Sequence, residues 1–451
     1  MATHKSKPIE RWPMIHPDAA GLDISVSEIW VCVPPDRASP HVRAFGTFTP
    51  DLQALAEWLQ ACGVQTVAME STGVYWIPVY ELLEALGFEV YLVNARQIKN
   101  VPGRKSDVQD CQWIQQLHTC GLLSASFRPA AEMVALRAYL RHRATLVDYR
   151  AAHIQHMHKA LQQMNVQLTQ VLSDISGVTG LQIIRAIVAG ERDPVRLAQF
   201  RDPRCKSSAE EIAKALTGHY RAEHVFALKQ ALALYDFYTT QIQACDAQIE
   251  QHYSAIKPTF PQADNLPPLP PDPKRNSHSK NGPACEVREH LYRLTGVDLT
   301  AVVGLEASTV QTVLSEIGTD MSKWRTEKHF ASWLGLAPHN DITGGKVIRH
   351  RTLKVHNRAA QALRLAAQAV GRTDTALGAF YRRLKARLGP AQAITALAHK
   401  LARIIYHLLK HREPYQDLGR EAYEQQFRQR ELRSLQRKAA KLGFQLTPLA
   451  A

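Results

Sequence analysis

Short apolar runs and helical patterns alternate over residues 21–117 in one order, and that order leaves few folds open. Gly21-Leu22-Asp23-Ile24-Ser25-Val26 and Glu28-Ile29-Trp30-Val31-Cys32-Val33 read as strands, Pro34-Pro35-Asp36 as a turn, and 42–48 as a third short strand. Thr49-Pro50 opens a helix over 51–62, because proline is tolerated where the helix has no amide to satisfy. A buried strand over 64–70 ends on Glu70, and a helix over 79–86 and a strand over 89–93 follow. Ser106 then caps a helix whose apolar stripe is Cys111, Trp113, Ile114 and Leu117. Asp107 and Asp110 stand side by side in its first turn, since three residues at ~100° each return to within about 60° of the start.

The order β-β-β-α-β-α-β-α is that of the ribonuclease-H-like fold. There, the acid of the first strand, the acid ending the fourth, and carboxylates on the last helix meet at one edge of the sheet. Asp23, Glu70, Asp107 and Asp110 fall where that arrangement requires them. Taken singly, Asp23 could be a turn residue and Glu70 a cap for Ser71-Thr72-Gly73. Taken together, four crowded carboxylates stay ionised only beside cations, so their convergence implies a metal. Oxygen-only ligands favour Mg²⁺ or Mn²⁺ over zinc.

At 451 residues the chain has room for two or three domains with buried cores. The expected organisation is a disordered leader over 1–18, the α/β domain over 19–130, and a helical, coiled-coil-like insert over 131–256. A Pro-rich linker over 257–285, a mostly helical domain over 286–412 and a charged C-terminal helix and tail over 413–451 complete it. Within the insert, 177–181 is expected to break the helical run. His153, His156 and His158 read as solvent- or RNA-facing rather than as a metal site. No run approaches ~18 apolar residues and the N-terminus is polar, so neither a membrane span nor a signal peptide is expected. The seven cysteines are scattered without a Cys-x-x-Cys, which fits a reducing cytoplasm and no zinc module or disulfide framework.

The net charge is +14, and its location matters more than its size. Between Gly344 and Arg412 lie 15 Lys/Arg and a single acid, Asp374, so the whole excess sits in one segment. Such concentration predicts a surface for a polyanion. At its start, Thr343-Gly344-Gly345 is followed by Lys346, Arg349, Arg351, Lys354 and Arg358. A hydroxyl, a glycine pair and clustered cations are what attack on a phosphodiester needs. The same residues would also serve as a hairpin loop beside a nucleic-acid-binding helix. Arg104 and Lys105, just ahead of the acid helix, join the expected nucleic-acid contacts. Ser308, Ser315, Ser322 and Ser332 read as structural.

Four segments resemble the IS110 family of transposases, particularly its IS1111-like branch, and the related Piv-type DNA invertases. They are Gly-Leu-Asp-Ile-Ser at 21–25, Met-Glu-Ser-Thr-Gly-Val-Tyr-Trp at 69–76, the run 93–110 from Val-Asn-Ala-Arg to Asp-Val-Gln-Asp, and the block from Gly-Leu-Ala-Pro (335–338) to Asn-Arg-Ala-Ala (357–360). The resemblance implies a RuvC-like domain whose DEDD tetrad lands on Asp23, Glu70, Asp107 and Asp110. It also implies a coiled-coil segment and a C-terminal transposase domain that supplies a hydroxyl nucleophile, usually serine. The partners implied are the element's DNA, a structured bridge RNA that guides it, and further copies of the chain in a homo-oligomer. In this chain Thr343 stands where that serine is usual. The expected activity is insertion and excision of a mobile element. The rivals are a metal-dependent nuclease or junction resolvase that uses water, and a non-catalytic nucleic-acid-binding regulator.

Overall fold

The computed structural model describes residues 13–447 apart from 72, 99–105, 259, 262–264, 272–280, 350, 354 and 356. The chain divides into two compact units, one ending at Arg128 and the other beginning at Pro129.

In the first unit, β1 (Ala19–Ile24), β2 (Glu28–Cys32) and β3 (Val42–Gly46) pair antiparallel. β4 (Thr66–Glu70) runs parallel to β1, and β5 (Glu89–Val93) parallel to β4, giving the order β3-β2-β1-β4-β5. The helices are α1 (Thr49–Ala61), α2 (Trp76–Ala85), α3 (Ala95–Ile98) and α4 (Asp107–Thr119). This mixed sheet with its helices is consistent with the expected ribonuclease-H-like fold. Strand alternation sorts the side chains into two cores. Leu22, Ile24, Val67 and Met69 pack with Leu55 and Leu59 of α1 and Val79 and Leu83 of α2. Ala68 and Val93 pack with Ile114 and Leu117 of α4. Each buried aliphatic side chain contributes roughly 2 kcal/mol, so apolar packing fixes where the acidic edge lies.

Local signals set most boundaries. α1 starts at Thr49, and the Asp51 carboxylate accepts the Phe48 amide at 3.2 Å. The four-residue α3 carries no periodicity of its own and was not expected. Ile15 and His16, which fall in the leader expected to be disordered, donate their amides to the Thr119 carbonyl at 2.8 and 3.0 Å. Residues 1–12 lie outside the described residues.

The second unit begins with two long helices packed on each other, α5 (Ala131–Gln163) and α10 (Ala222–Ala255). Between them run α6 (Leu168–Val171), α7 (Val178–Ala189), α8 (Pro194–Ala198) and α9 (Ala209–Ala215). These short helices share a core with the long pair that includes Met157, Ile183, Ile187, Leu197, Ile212 and Leu228. The break expected at 177–181 falls earlier, after Gln163, and Gly177 is instead the N-cap of α7. Gly180 is a packing residue, since a Cβ there would stand 2.2 Å from the Ile175 carbonyl oxygen. Buried Arg143 of α5 pairs with Asp246 of α10 and donates to the carbonyls of Asn281 and Gly282, each at 2.9 Å. In the Pro-rich stretch the Pro267 and Pro270 carbonyls accept from Tyr292 and Arg288 at 2.9 and 2.8 Å.

The helices α11 (Val287–Thr295), α12 (Ala307–Ile317) and α13 (Glu327–Trp333) precede a hairpin of β6 (Asp341–Thr343) and β7 (Lys346–Arg349). Then come α14 (Arg358–Val370), α15 (Ala376–Leu388), α16 (Pro390–His411) and α17 (Gly419–Lys441). Val310, Leu314, Leu363, Ala367, Leu397 and Leu401 are buried where α12, α14 and α16 pack, whereas α17 buries no residue. Among the described residues no helix is long and apolar enough to cross a membrane.

Candidate active site

The acidic edge is built on a floor of small residues. Gly21 and Ala68 are register partners on β1 and β4, and one pleat onward the same sheet face carries Asp23 and Glu70. α4 lies directly on this face. A Cβ on Gly21 would stand 2.3 Å from the Gln115 amide nitrogen and 2.4 Å from the Cys111 carbonyl oxygen, so only glycine lets the helix backbone come this close. Gln115 Nε2 reaches the Ala19 carbonyl at 3.3 Å. At the N-terminus of α4, Ser106 Oγ accepts the Gln109 amide at 3.4 Å, the cap that the sequence implied.

The far end of α4 is held by His118, which is fully buried. Its Nε2 lies 2.8 Å from Thr66 Oγ1, whose own proton goes to the Glu89 carbonyl at 2.9 Å. His118 Nε2 must therefore be the donor, which leaves Nδ1 buried and, among the described residues, without a hydrogen-bond partner. Burial, then the neighbouring His16, push the His118 pKa down to about 4, so the ring stays neutral. Gly21, Ala68, Thr66 and His118 were not singled out in the sequence. Only Gly21 gave a signal, as a glycine inside a strand run.

With α4 so placed, its first-turn acids face the strand acids. The Asp23 carboxyl is pushed up to about 6, first by burial and then by Asp110, Asp107 and Glu70 in that order. Asp107 is exposed and Asp110, Glu70 and Asp23 are half-buried, so the edge is open to a ligand. Among the described residues no three His, Cys, Asp or Glu side chains already form a group that could hold a metal ion. The donor chemistry nonetheless fits a hard cation: every candidate ligand is an oxygen, and the mutual repulsion that raises Asp23 is what a divalent ion relieves. Arg104 and Lys105 lie outside the described residues.

Thr343 ends β6, exposed, and pairs in register with Lys346 across a two-residue turn. Gly344 and Gly345 both sit in the left-handed region, at φ 55° and 76°, as a tight hairpin turn of this length demands. The glycine pair is thus explained by the turn itself, and nothing lies within 4 Å of either ideal Cβ position. Lys346 and Arg349 are exposed on β7, and Arg358 is exposed at the first turn of α14 behind the Asn357 cap. Arg351 differs: it forms an ion pair with Asp341 at 2.9 Å, and its carbonyl accepts the His339 amide at 2.6 Å, closing the base of the hairpin. Lys354 lies outside the described residues. Ser315 and Ser322 are held in local hydrogen bonds, to the Thr312 carbonyl at 2.9 Å and to Asp320 at 2.7 Å. In the insert, His153 stacks on Tyr238 with ring centroids 5.4 Å apart and meets His156 edge-on at the same separation.

Comparison with known families adds identity to this geometry. Residues 20–166, which contain all four acids, match the DEDD transposase model of the IS110 family. Residues 298–382, which contain the hairpin, match the model described as the transposase IS116/IS110/IS902 family. A search of curated proteins returns no match. Both matches bear on the same assignment from opposite ends of the chain: it belongs to the IS110 family of transposases.

Proposed function

We propose that the protein cuts and rejoins DNA strands at the ends of its own mobile element, with Asp23, Glu70, Asp107 and Asp110 as its acids and Thr343 as its nucleophile. The observation that carries this reading is the crowding at Asp23, where three further carboxylates bear on one half-buried carboxyl at the sheet edge. These four side chains would hold Mg²⁺ or Mn²⁺, which when bound would polarise the scissile phosphate and stabilise the leaving oxygen. In the proposed step the Thr343 Oγ1–P bond forms as one P–O bond of the DNA backbone breaks, the threonine proton passes to solvent, and the departing DNA oxygen takes a proton from solvent and leaves as a free hydroxyl. The resulting phosphoester keeps the energy of the broken bond, so the partner strand can resolve it without ATP. Threonine supplies the hydroxyl that serine usually gives, with a β-methyl that restricts χ1.

Lys346, Arg349 and Arg358, with Arg104, Lys105 and Lys354, would contact nucleic-acid phosphates. The reading includes a structured guide RNA and assembly of several copies, with Thr343 reaching the acids of its own or a neighbouring chain. A nuclease or junction resolvase using water draws on the same acids, and threonine in place of serine favours it. A covalent protein–DNA adduct separates the two. The test of the acid set is Asp23→Asn, which should abolish strand cleavage while nucleic-acid binding stays within about twofold of the parent. Full cleavage by that variant would remove the acids from the chemistry.

A further inference from the structure

One face of α16 serves the core through Ala393, Leu397, Leu401 and Ile405. The opposite face carries His399, Lys400, Arg403 and His407 at helical spacing and lines a cleft of about 530 Å³, together with Phe380 of α15 and Tyr415. An adjoining cleft of about 280 Å³ opens beside α17, lined by Tyr423, Phe427 and Arg430, and Lys400 and Tyr415 line both. The cations here rest on rings rather than on acids. Lys400 Nζ lies 4.5 Å from the centre of the Phe380 ring, and the Arg383 guanidinium lies 3.7 Å from that of Phe427. Arg403 is different, because it donates to Glu327 at 2.9 Å.

Among the described residues no carboxylate lies within ion-pair distance of Lys400 or Arg383. Among the described residues, Arg383 Nη1 and the Tyr423 hydroxyl are buried without hydrogen-bond partners. Burial, then Arg383, Arg430 and Arg403, pull the Lys400 pKa down, while Asp417 opposes them weakly. A buried donor left unmatched costs about 1–3 kcal/mol, and like charges held together add to that cost. An incoming anion relieves both. The clefts are too small for a double helix but match the lower range of small-ligand sites. Their rings offer a flat apolar face to a base of any identity.

We propose that the junction of α15, α16 and α17 binds an unpaired nucleotide of a nucleic-acid strand. Lys400 and Arg430 hold its phosphate, Arg383 adds charge from behind, and its base lies beside Phe380 and Tyr415. This rests on the nucleic-acid reading above and gives the C-terminal unit a single-strand site separate from the Thr343 hairpin. DNA and RNA strands share the phosphate and the base face that this site would recognise.

The experiment compares binding of a labelled single-stranded RNA, a single-stranded DNA of the same sequence, and the blunt DNA duplex to the full-length protein at fixed salt. Lys400→Gln/Arg430→Gln should weaken the single strands about tenfold, near 1.4 kcal/mol, and the duplex less than twofold. Its melting temperature should be unchanged or raised, because an unpaired half-buried cation has been removed. A loss confined to RNA or to DNA identifies which strand occupies the site and supports the proposal. Unchanged single-strand binding, or an equal loss on duplex, overturns it. Lys346→Ala/Arg349→Ala is run alongside. If that variant also leaves every affinity unchanged, the nucleic-acid reading of the C-terminal unit itself has failed.

Discussion

The acidic edge and the Thr343 hairpin are built by opposite means. Asp23 lies one residue from the end of β1 and Glu70 ends β4, neighbouring strands inside a five-stranded sheet, and α4 is held on that sheet by glycine contact at Gly21 and by the Thr66–His118 hydrogen bond. Thr343 ends a three-residue strand paired, among the described residues, only with β7, and every residue from Ile342 to Arg349 is exposed. A set of like charges needs a rigid frame, because each carboxylate moves away from the others if it can. A nucleophile that must meet a bulky substrate gains from standing clear of its own core. The difference teaches where substitutions should act: on the acidic edge through packing, on the hairpin through chemistry and charge.

The largest effect should come from the floor of the acidic edge. Gly21→Val removes no acid, yet its side chain would overlap the backbone of α4 and push Asp107 and Asp110 away from Asp23. Overpacking of this kind costs about 3 kcal/mol, and strand cleavage should fall by at least about 100-fold, read on a nicked DNA substrate. Activity close to that of the parent would mean that the position of α4 does not matter to the reaction.

A second effect belongs to the same region. His118 stays neutral in the folded chain down to about pH 4, while an unfolded histidine takes a proton below its ordinary 6.5. The unfolded state therefore binds the extra proton between those values. Stability is fully present above pH 6.5 and is lost as pH falls toward 4, by up to about 3 kcal/mol. Urea midpoints at pH 7 and pH 5 should separate in the parent and draw together in His118→Gln. Equal pH dependence in both proteins would place the acid-sensitive group elsewhere.

The hairpin should show a smaller effect that leaves the fold intact. Lys346→Ala/Arg349→Ala should flatten the salt dependence of DNA binding by roughly one unit for each phosphate contact removed. Arg351→Ala should change the slope less, because its guanidinium is already engaged by Asp341, and should instead loosen the hairpin. An unchanged slope in the double variant would turn these cations away from nucleic acid.

The acids themselves were legible because each sits on a locally patterned element: Asp23 lies within an apolar strand run, Glu70 closes one, and Asp107 and Asp110 follow a capping serine. What holds them together was not. Thr66 and His118 are 52 residues apart and leave no local pattern, and Ala68 is an ordinary strand residue until α4 lies upon it. The insert was legible as helical but not in its breaks. α6, α8 and α9, of four, five and seven residues, are too short for periodicity to mark, and Gly177 opens the 12-residue α7 where the sequence suggests a break. Gly344 and Gly345 taught the same lesson at the hairpin. Their left-handed backbone answers to the two-residue turn, which the residue types alone do not separate from a role in attack on a phosphodiester.

The central claim is that the hydroxyl of the hairpin and the acids of the sheet edge serve one reaction. Trapping that reaction on a suicide DNA substrate and mapping the adduct by mass spectrometry tests it most directly. The account predicts a phosphoester on Thr343 that is absent from Thr343→Ala, retained or increased in Thr343→Ser, and absent from Asp23→Asn. An adduct that survives Thr343→Ala, or strand cleavage by the parent protein with no adduct at all, would contradict it.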